Sequence, residues 1–374
     1  MGGSAKGSGL LDDTGQREAA GVAGLRGDTV AFRYGARHVG ICRLSGKEDH
    51  LLEIEKGECT MKKNFKIFVS IVLASFFLLA ASPICAAQKL TVMLDWFPNI
   101  DHLPIYVAQQ EGFFGDEGLD VTILTPSSTT DAMKLAASGN VDIAVSYEPQ
   151  VIIGASAGLE IRVVGRLVEH PLSVLLFLKG KGIKTPADLE GKTIGYTVPG
   201  MMDVLMEAFA KINGIKSYEP INVGFSIVQS LVSGKVDAIM GPYKNYETIE
   251  LEEKGYKPGY FELNRWGIPD YDELVFISGK RVVTEKPKVI KGFAHAIDRA
   301  ISRTRGNPKR ALKVYFSAVP EAPQDMESRA FEITLPFYAH SQTCDTKKWQ
   351  KFADFALRYK LIEKKVDVTT ILGR

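Results

Sequence analysis

Cysteine is scarce in this chain. Four occur in 374 residues, at Cys42, Cys59, Cys85 and Cys344, and no two form a C-x-x-C pair. That spacing argues against a thiolate zinc site, and no metal site is expected. An excess of charge of either sign is also missing. The formal net charge of +2 suggests neither a nucleic-acid partner nor an acidic scaffold. No P-loop of the G-x-x-x-x-G-K type, dinucleotide fingerprint or catalytic triad is found, so no cofactor and no catalytic residue are expected. What remains is an ordinary globular composition, 45% hydrophobic and 24% charged, in a chain long enough for two domains.

The first 60 residues scatter Gly, Asp, Arg and Ser without periodicity and do not read as a domain. Then Met61-Lys62-Lys63-Asn64-Phe65-Lys66 leads into an apolar run from Ile67 to Ala81 and a small-residue Cys85-Ala86-Ala87 site. This is the pattern of a secretory signal peptide over residues 61–87, cleaved after Ala87. Such a signal belongs at an N-terminus, so Met61 is the expected natural start. Residues 1–60 are then an untranslated or disordered leader. The apolar run falls short of the ~20 residues a bilayer span needs. Ser82-Pro83-Ile84 also fits lipidation at Cys85 poorly, which makes lipoprotein anchoring the lesser expectation. The mature protein is expected outside the cytoplasm, in the periplasm or an equivalent compartment, with Cys344 as its one cysteine.

From Gln88 onward strand and helix signals alternate, which argues for an α/β fold. Strands are expected at Leu90–Leu94, Asp120–Leu124, Asp142–Ser146, Arg162–Leu167, Val174–Leu178, Thr193–Tyr196, Asn222–Phe225, Ala238–Gly241 and Leu274–Ser278. Helices are expected between many of them, including Leu103–Glu111, Asp131–Ala137, Asp203–Asn213 and Tyr243–Lys254. After Thr284 the chain turns mostly helical, with apolar positions three or four apart. One short motif recurs: Ser138-Gly139-Asn140-Val141-Asp142 and Ser233-Gly234-Lys235-Val236-Asp237. In each, Gly is a natural helix stop and the next apolar run is a strand. Each strand then leads into a polar, aromatic segment, Ser146-Tyr147-Glu148 in one case and Tyr243-Lys244-Asn245-Tyr246-Glu247 in the other. Two similar lobes would thus present strand ends to one cleft.

The first strand runs into Asp95-Trp96-Phe97-Pro98-Asn99 and then His102, just before a helix. In open α/β sheets ligands bind at this kind of strand-to-helix loop. Aromatic faces beside hydrogen-bonding groups suit a small, flat, polar ligand. Trp96, Asn99 and His102 are therefore candidates, with Tyr147 at the end of a neighbouring strand. Gly200 and Met201 follow another strand and precede a helix whose free N–H groups could meet an anionic or formyl oxygen. Tyr243 and Glu247 stand four apart and would share a helix face, the one an aromatic plane and the other a carboxylate, with Asn245 between them. The plainer alternative is an N-terminal Glu favoured by the helix dipole. Tyr271 lies in Arg265-Trp266-Gly267-Ile268-Pro269-Asp270-Tyr271, where it either touches ligand or shapes a hinge.

The stretch L-D-W-F-P-N-x-x-H followed by Y-V-A-Q-x-E-G-F-F resembles the opening of the thiamine-pyrimidine-precursor-binding proteins of ABC importers. These share a superfamily with sulfonate- and nitrate-binding proteins and with the fungal thiamine-pyrimidine synthases. N-Y-E followed by I-E-L, and the segment around Tyr271, resemble the same subgroup. The resemblance implies a two-lobed periplasmic-binding-protein-like fold of type II, with a ligand cleft and two crossover strands. Lobe one would take residues 88–173 and 279–374, and lobe two residues 174–278. It implies a monomeric binding protein, not an enzyme, with a small-molecule ligand and an ABC permease as partners. The alternatives are a binder of sulfonate- or nitrate-like anions, or a synthase-like enzyme that consumes His102 and uses pyridoxal phosphate. The synthases' cysteine-rich iron motif is not present in this chain.

Overall fold

The computed structural model describes residues 87–373, so the expected leader and signal peptide lie outside the described residues. Ten strands form two five-stranded sheets. The first sheet runs β2 (Leu119–Leu124), β1 (Gln88–Met93), β3 (Ile143–Ser146), β10 (Leu274–Gly279), β4 (Ile161–Val168). The second runs β7 (Glu219–Asn222), β6 (Thr193–Tyr196), β8 (Ala238–Tyr243), β5 (Ser173–Leu178), β9 (Pro258–Glu262). Both are built alike. Three parallel strands come first, and the fourth runs antiparallel to its neighbours: β10 in the first sheet, β5 in the second. Two like α/β sheets joined by two chain segments agree with the expected fold class.

The recurring S-G-x-V-D motif has one structural role in both sheets. Gly139 and Gly234 take left-handed φ values of 74° and 73° at helix ends, a conformation only glycine adopts without strain. The aspartate that follows reaches the neighbouring parallel strand. Asp142 Oδ2 accepts from Thr91 N at 2.9 Å, and Asp237 Oδ2 accepts from Thr193 N at 3.0 Å. The repeat therefore pins β1 beside β3 in one sheet and β6 beside β8 in the other.

Several expected elements shift. Asn222–Phe225 is not a strand; the strand is Glu219–Asn222, on the sheet edge where Pro220 is tolerated. The edge strand Pro258–Glu262 carried too little apolar alternation to be expected. The expected helix Tyr243–Lys254 begins only at Glu247, because β8 continues through Tyr243. The chain also returns to the first sheet before the expected point near Ser278, since the whole of β10 pairs there.

Two segments join the sheets, and they lie side by side. The buried Glu273 carboxylate accepts from Leu172 N at 2.6 Å, Ser173 N at 2.8 Å and Ser173 Oγ at 2.8 Å. Next to it Asp272, fully buried, collects four donors. Arg166 gives Nη2 at 2.7 Å and Nε at 3.1 Å, Lys348 Nζ lies at 3.0 Å, and Trp349 Nε1 lies at 2.7 Å. Lys348 Nζ also donates to Glu169 O at 2.6 Å, so the helix Thr346–Arg358 holds both connections. Among the described residues, no helix is long and apolar enough to cross a membrane.

Candidate functional site

Between the sheets lies a cavity holding about 460 Å³ of space free of protein atoms, its open mouth included. Loops at strand ends supply its wall. From β1 come Asp95, Trp96, Asn99, Asp101 and His102. Tyr147 follows β3, Thr197 and Val198 follow β6, and Tyr243, Tyr246 and Glu247 close β8 and open the next helix. Six residues singled out from sequence thus come together: Trp96, Asn99, His102, Tyr147, Tyr243 and Glu247.

The β1 loop is held by its own polar side chains. Asn99 caps the short helix Ile100–His102, its Oδ1 accepting from Asp101 N at 2.9 Å. Asp95 lies 2.9 Å from His102 Nε2 and accepts from Tyr147 Oη at 2.6 Å. With Nε2 facing a carboxylate, His102 presents Nδ1 as the free ring position, and that atom is buried without a partner. Asp101 uses Oδ1 to accept from Asn245 Nδ2 at 2.9 Å and Thr334 Oγ1 at 3.0 Å. Its Oδ2 is buried without a partner, as is Tyr243 Oη. Buried polar groups are rarely left bare, so three orphans among the residues lining one cavity mark a surface that awaits hydrogen bonds.

Glu247 departs from both sequence expectations. It shares no helix face with Tyr243, which ends a strand. It is also no surface residue, being 7% exposed. Its Oε2 accepts from Tyr243 N at 2.6 Å across the turn. Burial, only partly opposed by that bond, pushes its carboxyl up to about 8. Burial likewise raises Asp101 to about 6, against the pull of His102, and raises Glu327 behind the loop to about 8. Trp96 leans across the cleft, edge-on to Phe225 with ring centroids 4.5 Å apart, and packs on the apolar cluster of the second sheet.

Four candidates are not brought to the cavity wall. Met201 is fully buried in the core at the start of the helix Met202–Asn213, and its neighbour Met202 faces the cavity instead. Gly200 is exposed in the preceding turn at φ 79°. Tyr271 is fully buried against Phe352, beside the segments that join the sheets. Asn245 is buried behind the wall and positions Asp101. Sequence reasoning did not select Asp101, Tyr246 or Gly241. Tyr246 could have been taken from the aromatic turn that already gave Tyr243. Gly241 sits at φ 108°, where an added Cβ would strike Thr197 Oγ1 and Met202, so the cavity floor requires glycine.

Residues 99–311 match the family model described as NMT1/THI5 like. The chain belongs to that family. Among relatives, the formylaminopyrimidine-binding protein of Halalkalibacterium halodurans is 37% identical over 285 residues, covering 73% of this chain and 86% of that protein. The 4-amino-5-hydroxymethyl-2-methylpyrimidine phosphate synthase of Legionella pneumophila is 25% identical over 287 residues, covering 75% of this chain and 90% of its own. In structure, the NMT1/THI5-like fold of this chain matches the periplasmic aliphatic sulphonate binding protein of Escherichia coli with a TM-score of 0.60 at 14% identity. That match covers 77% of this chain and 92% of the other. The resemblance read from the L-D-W-F-P-N stretch is therefore sound at the family level.

Proposed function

We propose that this NMT1/THI5-like protein is the exported solute-binding component of an ABC importer and holds a small thiamine-related aminopyrimidine in the cleft between its sheets. The observation that carries this reading is the character of the cavity wall. It presents Asp95, Asp101 and Glu247, and no lysine or arginine is among its lining residues. A sulfonate or nitrate in a dry cleft calls for cationic forks or converging N–H donors. An aminopyrimidine calls for the reverse: acceptors for its amino group, a donor for a ring nitrogen and a face to pack on.

The groups divide accordingly. His102 Nδ1 and Asp101 Oδ2 are the acceptors for amino N–H groups. Glu247 keeps its proton near neutral pH. Because Oε2 accepts the Tyr243 N–H, that proton sits on Oε1 and is donated to a ring nitrogen. Trp96 covers the ring face. The named ligand of the Halalkalibacterium relative belongs to the same chemical class. Thermal unfolding with 4-amino-5-hydroxymethyl-2-methylpyrimidine, its formylamino counterpart, taurine and nitrate tests the reading. A ligand of the native state at a hundredfold excess over Kd adds about 2.7 kcal/mol. Stabilisation by the pyrimidines alone supports the proposal, and stabilisation by the anions alone overturns it.

A further inference from the structure

We propose that the cleft has a second compartment, beyond the pyrimidine cavity, shaped for a flat cationic substituent carried by the same ligand; this rests on the aminopyrimidine reading of the first. A second recess, about 540 Å³ with its open mouth counted, adjoins the first and shares Trp96, Asn99, Ile227, Tyr246 and Glu247 with it. Its other walls include Phe97, Phe225, Val228 and Glu250. The two spaces therefore lie side by side, with Trp96, Tyr246 and Glu247 as walls common to both.

The outer compartment has the composition of a cation site. Phe97 and Phe225 lie tilted with centroids 4.7 Å apart, and the edge of Trp96 meets the same Phe225 ring. Aromatic faces attract a cation through their quadrupoles. Glu250 contributes an acidic side chain, and no lysine or arginine is among the residues lining this space. Lys254 Nζ stands 3.4 Å from Glu250 Oε1, but that half-exposed pair within one helix is weak and screened by salt. The inference also gives Phe97 a role. It is 48% exposed beside a loop whose other aromatic residue is packed away, and a ring in the outer compartment would cover it.

The test is calorimetric titration of the full chain with three probes. These are 4-amino-5-hydroxymethyl-2-methylpyrimidine, the same pyrimidine with an N-pyridiniomethyl group at C5, and its neutral benzyl isostere. The pyridinium probe should bind more tightly than the benzyl probe. Phe97→Leu and Glu250→Gln should each weaken the pyridinium probe by about two- to thirtyfold while leaving the hydroxymethyl probe unchanged. Equal affinity for the two extended probes, or no response to either substitution, overturns the cation compartment while leaving the aminopyrimidine reading intact. Failure of all three probes to bind overturns both.

Discussion

Two groups of buried ionisable residues sit close together in this protein and are built on opposite terms. Where the sheets join, Asp272 is surrounded by Arg166, Lys348 and the Trp349 indole, so that carboxylate has its counter-charge and its hydrogen bonds. The orphan beside it, Glu148 Oε1, belongs to a carboxyl that burial and the Asp272 charge push well above the usual carboxyl range. In the cleft, Asp101, Glu247 and the nearby Glu327 have no such cations, their carboxyls are pushed up by burial, and His102, Asp101 and Tyr243 keep bare polar atoms. A cluster satisfied from within holds a shape. A cluster left short of partners holds a place for something else.

The largest effect expected from this contrast is at the junction. Asp272→Ala removes the buried carboxylate that Arg166 and Lys348 share, leaving them only Glu169 and Asp270, and should cost ~3 kcal/mol of stability in denaturant unfolding. A loss below about 1 kcal/mol would erase the distinction between the clusters. In the cleft, Glu247→Ala should cut pyrimidine affinity by ~1–3 kcal/mol, about fivefold to 140-fold in Kd. It also strands the Tyr243 N–H, so some stability goes with it. Glu247→Gln sharpens the comparison. Its amide oxygen can take the Tyr243 N–H and its NH₂ can donate to the ring nitrogen. Affinity by calorimetry should stay within about threefold. A large loss would mean that the ionised carboxylate is the binding form.

Trp96→Ala should weaken binding by the ~0.5–1.5 kcal/mol that aromatic contacts add, plus lost area, and the lost packing on Phe225 should lower the unliganded melt as well. The smallest effect concerns pH. Glu247 and Glu327 have folded values of about 8, raised above the ordinary carboxyl value. Their stabilising protonation is complete below the unfolded value and is lost as pH rises through the folded one. The melting temperature of the empty protein should therefore fall between about pH 5 and pH 8. Asp101 faces both groups and Glu250 faces Glu247, each raising them further, while the Tyr246 and Tyr315 hydroxyls donate to Glu327 and oppose the rise. Glu247→Gln should flatten the decline by about 2–4 °C. A melting curve that rises over this interval would contradict the burial of these acids.

The architecture was largely legible because its signals are local. β6 falls at Thr193–Tyr196 as expected, and the helix Asp131–Ser138 ends at the glycine that the S-G-x-V-D motif supplies. The site was legible in its first loop for the same reason: aromatic, amide and imidazole groups crowd one turn. It was less legible where position depends on a partner distant in sequence. Nothing in Tyr271 tells that Phe352 will bury it, or in Met201 that Met202 will face the cavity. The Tyr243–Glu247 pair came out close for a reason other than the one read from its spacing. Four residues apart means a shared face only on a helix, and here a strand ends between them and a backbone N–H bridges the gap.

The three bonds from Glu273 to Leu172 and Ser173 fasten the two connecting segments to each other. A pair of cords tied together is a pivot with a single axis, and a body turning on one axis moves in proportion to its distance from it. Groups beside the pivot, such as Tyr271, should hardly travel when the protein opens. The Phe225 ring should swing clear of Trp96 and Phe97 after a modest turn. On the binding role proposed above, release of ligand would amount to prying at the end of a lever, where the contacts at the tip set how long the ligand stays.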